Sequence, residues 1–109
     1  MLFRNSADKD PVQTPFDGVM RNTLVWGEKT LLMQISIESG SVVTMHDHPH
    51  EQVGYCIKGC IELEIEGEIQ TCPAGSAWVV PGGAKHEARA LEDSLLIELF
   101  SPPREDYKD

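Results

Sequence analysis

The segment from Gly40 to Gln52 reads Gly-Ser-Val-Val-Thr-Met-His-Asp-His-Pro-His-Glu-Gln. His46 and His48 are two apart, a spacing that turns both side chains to one face of a strand. Pro49 then bends or interrupts that strand, and Gln52 follows four residues after His48. A second segment runs from Gly75 through Pro81 and Gly83 to His86. A strand closed by a Pro-Gly-Gly turn delivers His86 from a separate part of the chain. Three imidazole nitrogens and one amide oxygen, from His46, His48, His86 and Gln52, can surround one divalent ion. His50 continues the alternate spacing beyond the bend and is expected at the rim of the pocket, in a minor role. Asp47 and Glu51 flank the histidines and are expected to orient the imidazoles as hydrogen-bond acceptors.

Short apolar runs punctuated by glycine and proline surround these segments. Leu31, Met33, Ile35 and Ile37 alternate with Gln34 and Ser36, the period of a strand. Ile61, Leu63 and Ile65 face away from Glu62, Glu64 and Glu66, a strand with one face on a core and one in water. Glu66-Gly67-Glu68 reads as a hairpin turn into Ile69 to Cys72, and Lys58-Gly59 as a second tight turn. Ser76 to Val80 and Ser94 to Phe100 are further strands, joined across Leu91-Glu92-Asp93. The alanines and leucines of Glu87 to Leu96 compete for a helix. The preceding Pro81-Gly82-Gly83 and the alternation of Leu95, Ile97 and Leu99 argue against one. Many short strands with such punctuation make an all-β sandwich or barrel. The 109 residues suffice for one domain, 1–109, with an irregular leader over 1–20 and a barrel core over about 30–101.

The formal net charge of -9 argues against nucleic acid and against anionic lipid, since both need a basic surface. A negative protein still binds an anion where a metal or an arginine reverses the local sign. No apolar run approaches the length needed to span a membrane. Met1 to Pro11 is too polar for a secretory signal, so the expected location is cytoplasmic. The three cysteines, Cys56, Cys60 and Cys72, form neither a disulfide framework nor a complete metal set, and are expected as small buried thiols.

The two histidine segments resemble the paired signature motifs of the cupin superfamily. Gly40, His46, His48 and Gly59 match the first motif, with Gln52 where the family carries glutamate. Gly75, Pro81, Gly83 and His86 match the second, with Ala90 in place of asparagine. The resemblance implies a jelly-roll barrel, the cupin double-stranded β-helix, with a metal inside. It also implies pairing into a homodimer, for which an N-terminal edge strand is one route. Glutamine in place of glutamate leaves the ion its full charge, making a stronger Lewis acid and anion binder. Neutral N/O ligands suit Zn, Ni, Fe, Mn or Cu.

The tail sharpens the resemblance. Glu98 and Phe100 share one face of a strand against Leu95, Ile97 and Leu99, and Arg104 follows the Pro102-Pro103 turn. With His-Pro-His-Glu-Gln in the first motif, this tail resembles the small cupins of pectin breakdown, which open the ring of 4,5-unsaturated uronates. In that group a carboxylate, a phenylalanine and an arginine line the site, here matched by Glu98, Phe100 and Arg104. The group's carboxylate is aspartate, so Glu98 reaches one methylene further. The implied ligand is an anionic sugar: Arg104 pairs with its carboxylate, Glu98 moves a proton, and Phe100 walls the ring. Trp78 either lines the pocket or packs the barrel. Two other readings stand beside this one: a metal-dependent (Fe) dioxygenase, and a non-catalytic small-molecule-binding cupin.

Overall fold

The computed structural model describes residues 2–109; Met1, the first residue of the expected leader, lies outside them. Among the described residues, ten strands form two sheets: β1 Val12–Gln13, β2 Val19–Trp26, β3 Leu31–Ile37, β4 Val42–His46, β5 Glu51–Lys58, β6 Cys60–Ile65, β7 Glu68–Pro73, β8 Ala77–Val80, β9 His86–Ala90 and β10 Ser94–Ser101. The six-stranded sheet runs β1-β2-β3-β10-β5-β8 and the four-stranded sheet β4-β9-β6-β7, with every pairing antiparallel. The fold is therefore the all-β cupin barrel expected from the sequence. Among the described residues, helix is confined to two 3-10 turns, Ser6–Asp8 and Glu105–Tyr107. No helix among the described residues is long and apolar enough to cross a membrane.

Alternation places the core. Leu31, Met33, Ile35 and Ile37 of β3 point inward, as do Leu96 and Phe100 of β10 and Ile61 and Leu63 of β6. Burying such side chains contributes about 1.5–3 kcal/mol each. Cys56 and Cys72 are buried free thiols in this core, and Cys60 is half-buried. The Glu66-Gly67 turn closes the β6–β7 hairpin with both residues at positive φ, 48° and 83°. That is the twist a two-residue hairpin requires, and glycine supplies the second position without strain.

The barrel starts earlier than the expected residue 30. Strand β2 pairs along β3 from Val19, and Arg21, Asn22 and Thr23 are all buried. These polar residues hid the strand from a hydrophobic count. Hydrogen bonds hold them inside: Arg21 Nη1 donates to Thr23 Oγ1 at 2.9 Å, and Asn22 Nδ2 donates to the carbonyls of Ser6 and Lys9, while Asn22 Oδ1 has no partner among the described residues. Leader and tail are thus packed against β2.

One apolar row faces outward. Leu95, Ile97 and Leu99 lie on the outer face of β10, opposite the buried Leu96, Glu98 and Phe100. The carboxylate of Glu98 therefore points into the barrel, not into water.

Candidate metal centre

The site forms where the two sheets face each other at one end of the barrel. The four-stranded sheet contributes His46 and His86 as a cross-strand pair, with ring centroids 4.2 Å apart. The six-stranded sheet contributes Gln52 and Phe100 as a second such pair, with Glu98 two residues along β10. His48 comes from the turn between β4 and β5. Only His46 of the expected pair lies on a strand, since β4 ends there ahead of Pro49. The turn still brings His48 to the triad, with its ring 4.9 Å from that of His86.

The nitrogens of the triad are assigned by their partners. His46 Nδ1 lies 2.7 Å from the carbonyl of Thr44, His48 Nδ1 3.0 Å from that of His50, and His86 Nδ1 2.9 Å from that of Ala84. A carbonyl only accepts, so each Nδ1 carries the proton and each Nε2 keeps a lone pair. Backbone carbonyls therefore orient the rings, in place of the expected carboxylates of Asp47 and Glu51. His50 contributes through its main chain, and its ring stands beside that of His48.

Ligand atoms of His46, His48 and His86 lie within 4.8 Å of one another, a group positioned to hold a metal ion. Two observations show that these residues fit one. His86 Nε2 is buried without a hydrogen-bond partner among the described residues. An orphaned lone pair in the interior is costly unless a cation meets it. Gln52 gives the second observation. Its Nε2 donates to the Glu98 carboxylate, which turns Oε1 toward His48 Nε2 at 2.9 Å. Two acceptors at that distance repel unless a cation joins them. Turned over, the amide would donate to His48 and accept from Glu98 only if Glu98 were protonated. Glutamine suits this position for a reason absent from the motif: a glutamate could not donate to Glu98 and would set a second carboxylate beside it.

Burial sets the charge of these groups. It pulls His86 down to about 4 and lowers His48, with the Arg104 charge adding to both effects. Both imidazoles are thus neutral at physiological pH, as metal ligation requires. Burial pushes the Glu98 carboxyl up to about 7, against the opposing hydrogen bond from Gln52. A lowered histidine pKa delays proton competition as pH falls. Metal content of the protein, followed by dialysis from pH 8 to pH 4, is therefore expected to reach half-release below pH 6.5. Half-release above pH 6.5 would contradict neutral, buried ligands.

A narrow cavity of about 50 Å³ runs inward from the triad and is lined by His46, His86, Gln52, Glu98, Phe100, Trp78 and Arg104. The structure therefore brings all three sequence-selected tail residues to the cavity that His46 and His86 line. Trp78 both lines this cavity and packs on the core. Its indole lies over Gly54, whose strand neighbours are Glu98 and Trp78, and any side chain there would collide with the ring. Phe100 packs edge-on against His48, with centroids 5.6 Å apart. A second, outer chamber of about 460 Å³ shares His46, Arg104 and Tyr107 with the first and is bounded by Phe16 and Asp47. Small-molecule sites occupy about 300–1,000 Å³, a range that includes this outer chamber. Tyr107, Phe16 and Arg21 escaped the sequence reading. Only the closeness of Tyr107 to Arg104 in sequence hinted at a role.

Comparison with known proteins places this geometry among relatives. Residues 33–100 match the family model described as a cupin domain. The pectin degradation protein KdgF of Dickeya dadantii is 31% identical over 102 residues, covering 92% of this chain and 93% of that protein. The solved structure of KdgF from Halomonas sp. superposes with a TM-score of 0.89 at 37% identity, covering 95% of this chain and 96% of the other. An RmlC-like cupin from Shewanella frigidimarina superposes with a TM-score of 0.92 at 27% identity, over 98% and 96% of the two chains.

Proposed function

The chain belongs to the cupin family, and from that premise we propose that it is a metal-dependent isomerase opening the ring of 4,5-unsaturated uronates. The observation that carries this reading is a metal-competent triad, of which His46 and His86 line one cavity with Glu98, Phe100 and Arg104. Similarity to the KdgF proteins over nearly the whole chain supports the pectin-derived sugar acid as substrate.

The reaction needs no partner molecule. The C1 hydroxyl loses a proton, the C1–O5 bond breaks, and C4 gains a proton as the enol becomes a ketone. A divalent ion on His46, His48, His86 and Gln52 would act as a Lewis acid toward substrate oxygen. The protein does the rest. Arg104 pairs with the substrate carboxylate through the guanidinium edge that its contacts to Asp106 leave open. Glu98, poised near neutrality, takes and returns the proton. Phe100 supports the sugar ring and keeps water from that face. Arg104 supplies a positive charge beside the triad in a protein of net charge -9.

The product tests the reading. Incubation of metal-loaded protein with a 4,5-unsaturated monouronate is expected to give the linear keto sugar by NMR without oxygen uptake. Arg104→Ala is expected to raise KM about tenfold or more, as loss of a charge-assisted pair does. Oxygen consumption with Fe(II) and no ring opening would favour the dioxygenase instead.

A cytoplasmic homodimer completes the proposal. Val53, Tyr55 and Val79 are 42%, 46% and 52% exposed, and they adjoin Ile97 and Leu99 on one outer sheet face. A second copy seated there would cover these exposed apolar side chains. The two-residue edge strand β1 offers far less. Tyr55→Lys is expected to halve the mass measured by sedimentation while leaving metal content intact; an unchanged mass would exclude this face.

A further inference from the structure

The tail beyond β10 is bound to the barrel by contacts that the proposed reaction does not use. Arg21 makes a bidentate pair with Asp109, Nη1 to Oδ1 and Nη2 to Oδ2, both at 2.9 Å. Lys9 Nζ donates to the same residue and to the carbonyl of Thr23. Between these anchors and the barrel mouth lies Tyr107. The Arg21 guanidinium stands 4.6 Å from the centre of its ring and that of Arg104 3.9 Å. Its edge meets Phe100, with centroids 5.6 Å apart, and it lines both cavities.

We infer that Tyr107 is a positioning residue: clamped between Arg21 and Arg104, its ring holds the Arg104 guanidinium over the barrel mouth, and the Arg21–Asp109 pair is the clasp. The inference rests on the site reading above for what Arg104 binds. Arg104 has a long, flexible stem, and three features hold its head: Asp106, the face of the Tyr107 ring, and the more distant Phe100 ring, 5.3 Å from the guanidinium carbon to the ring centre. Asp106 takes Nε at 3.2 Å and Nη2 at 2.9 Å. That pair is local, within the same exposed turn, and leaves the turn itself free to swing. The aromatic stack ties the guanidinium to the body of the barrel, because the ring is packed on Phe100 and its residue is held through Asp109. A planar cation on a ring face is attracted by the ring quadrupole and loses little of its own hydrogen-bonding edge. The clasp is charge-assisted and bidentate, the geometry that confers orientation as well as attraction. Arg104 therefore meets an incoming carboxylate already ordered.

Two measurements on the full-length, zinc-loaded chain test this. The first is binding of D-galacturonate, a saturated uronate that cannot be opened. Tyr107→Leu is expected to weaken binding about tenfold, the upper range of a desolvated cation–aromatic contact. Tyr107→Phe keeps the ring and is expected to stay within about twofold of the parent. In an Arg104→Ala background, Tyr107→Leu is expected to have almost no further effect, the non-additivity of a residue acting through its neighbour. Equal weakening in both backgrounds, or none in either, would overturn the inference. The second measurement needs no ligand: the Arg104 Nε–H signal in NMR. It is expected upfield-shifted by the ring and protected in the parent and in Tyr107→Phe, and averaged in Tyr107→Leu and Asp109→Asn. An unchanged signal in Tyr107→Leu would overturn the inference by itself. Failure of the parent to bind galacturonate would count against the uronate reading, with the NMR signal still deciding the role of Tyr107.

Discussion

Replacing His86 with alanine is expected to strip the protein of its metal and reduce uronate turnover to the uncatalysed rate. His86 is the most constrained member of the triad. Its Nδ1–H is committed to the carbonyl of Ala84, its Nε2 has no partner, and burial holds it neutral to about pH 4. Every feature of its surroundings prepares a lone pair for a cation. Alanine removes one of three imidazoles and opens a gap that water can enter, leaving His46 and His48 as a pair. The fold is expected to survive, because the imidazole sits at the end of the barrel and the hydrophobic cluster does not include it. Metal analysis together with circular dichroism checks this. Metal loss with the β-sheet spectrum preserved is the expected outcome. Full metal content in His86→Ala would place the ion elsewhere.

Glu98→Gln is expected to lower kcat by about 10²–10⁴-fold, the usual worth of a positioned acid–base group, with metal content unchanged. The carboxyl is buried at the cavity wall, and its proton affinity near neutrality suits it to give and take a proton in one cycle. Glutamine keeps the size and can still accept from Gln52, so packing is conserved while proton transfer is lost. KM should change little. A pH series sharpens the test. If Glu98 is the group that titrates near 7, activity of the parent rises or falls through that value and the residual activity of Glu98→Gln does not. A variant with nearly parental kcat would remove Glu98 from the chemistry and leave it as a partner of Gln52.

The sequence made much of this site legible because its chemistry sits on regular features. Alternation on β10 put Glu98 and Phe100 on one face, and β10 pairs with β5 so that Phe100 meets Gln52. The motif spacing likewise selected His46, His48 and His86, which the fold draws together. What escaped depends on long-range contacts with no local period. Strand β2 is buried through the hydrogen bonds of Arg21 and Asn22, so its inward row looks polar on paper. The orienting acceptors of the histidines are main-chain carbonyls, which no side-chain pattern reveals. Tyr107 and Arg21 are 86 residues apart in the chain and meet only because the tail crosses β2. The substitution of glutamine into the family motif became intelligible only beside Glu98, whose carboxylate requires a donor at that point.

The fold also separates two tasks that the motifs fuse. The inner end of the barrel encloses about 50 Å³ beside His46 and His86. The outer chamber, at about 460 Å³, takes Phe16 from the leader and Arg104 and Tyr107 from the tail, beside Met33, Ile35 and His46 of the two sheets. Changes in those two segments are therefore expected to alter which acid is accepted while leaving the metal set untouched.

The most direct test of the central claim is the rate at which the double-bond absorbance of a 4,5-unsaturated monouronate disappears, measured with purified protein of known metal content and with His86→Ala in parallel. A rate well above the no-enzyme rate, proportional to bound metal and absent in the variant, is the expected result. No acceleration with the metal site filled would contradict ring opening as the function of this barrel.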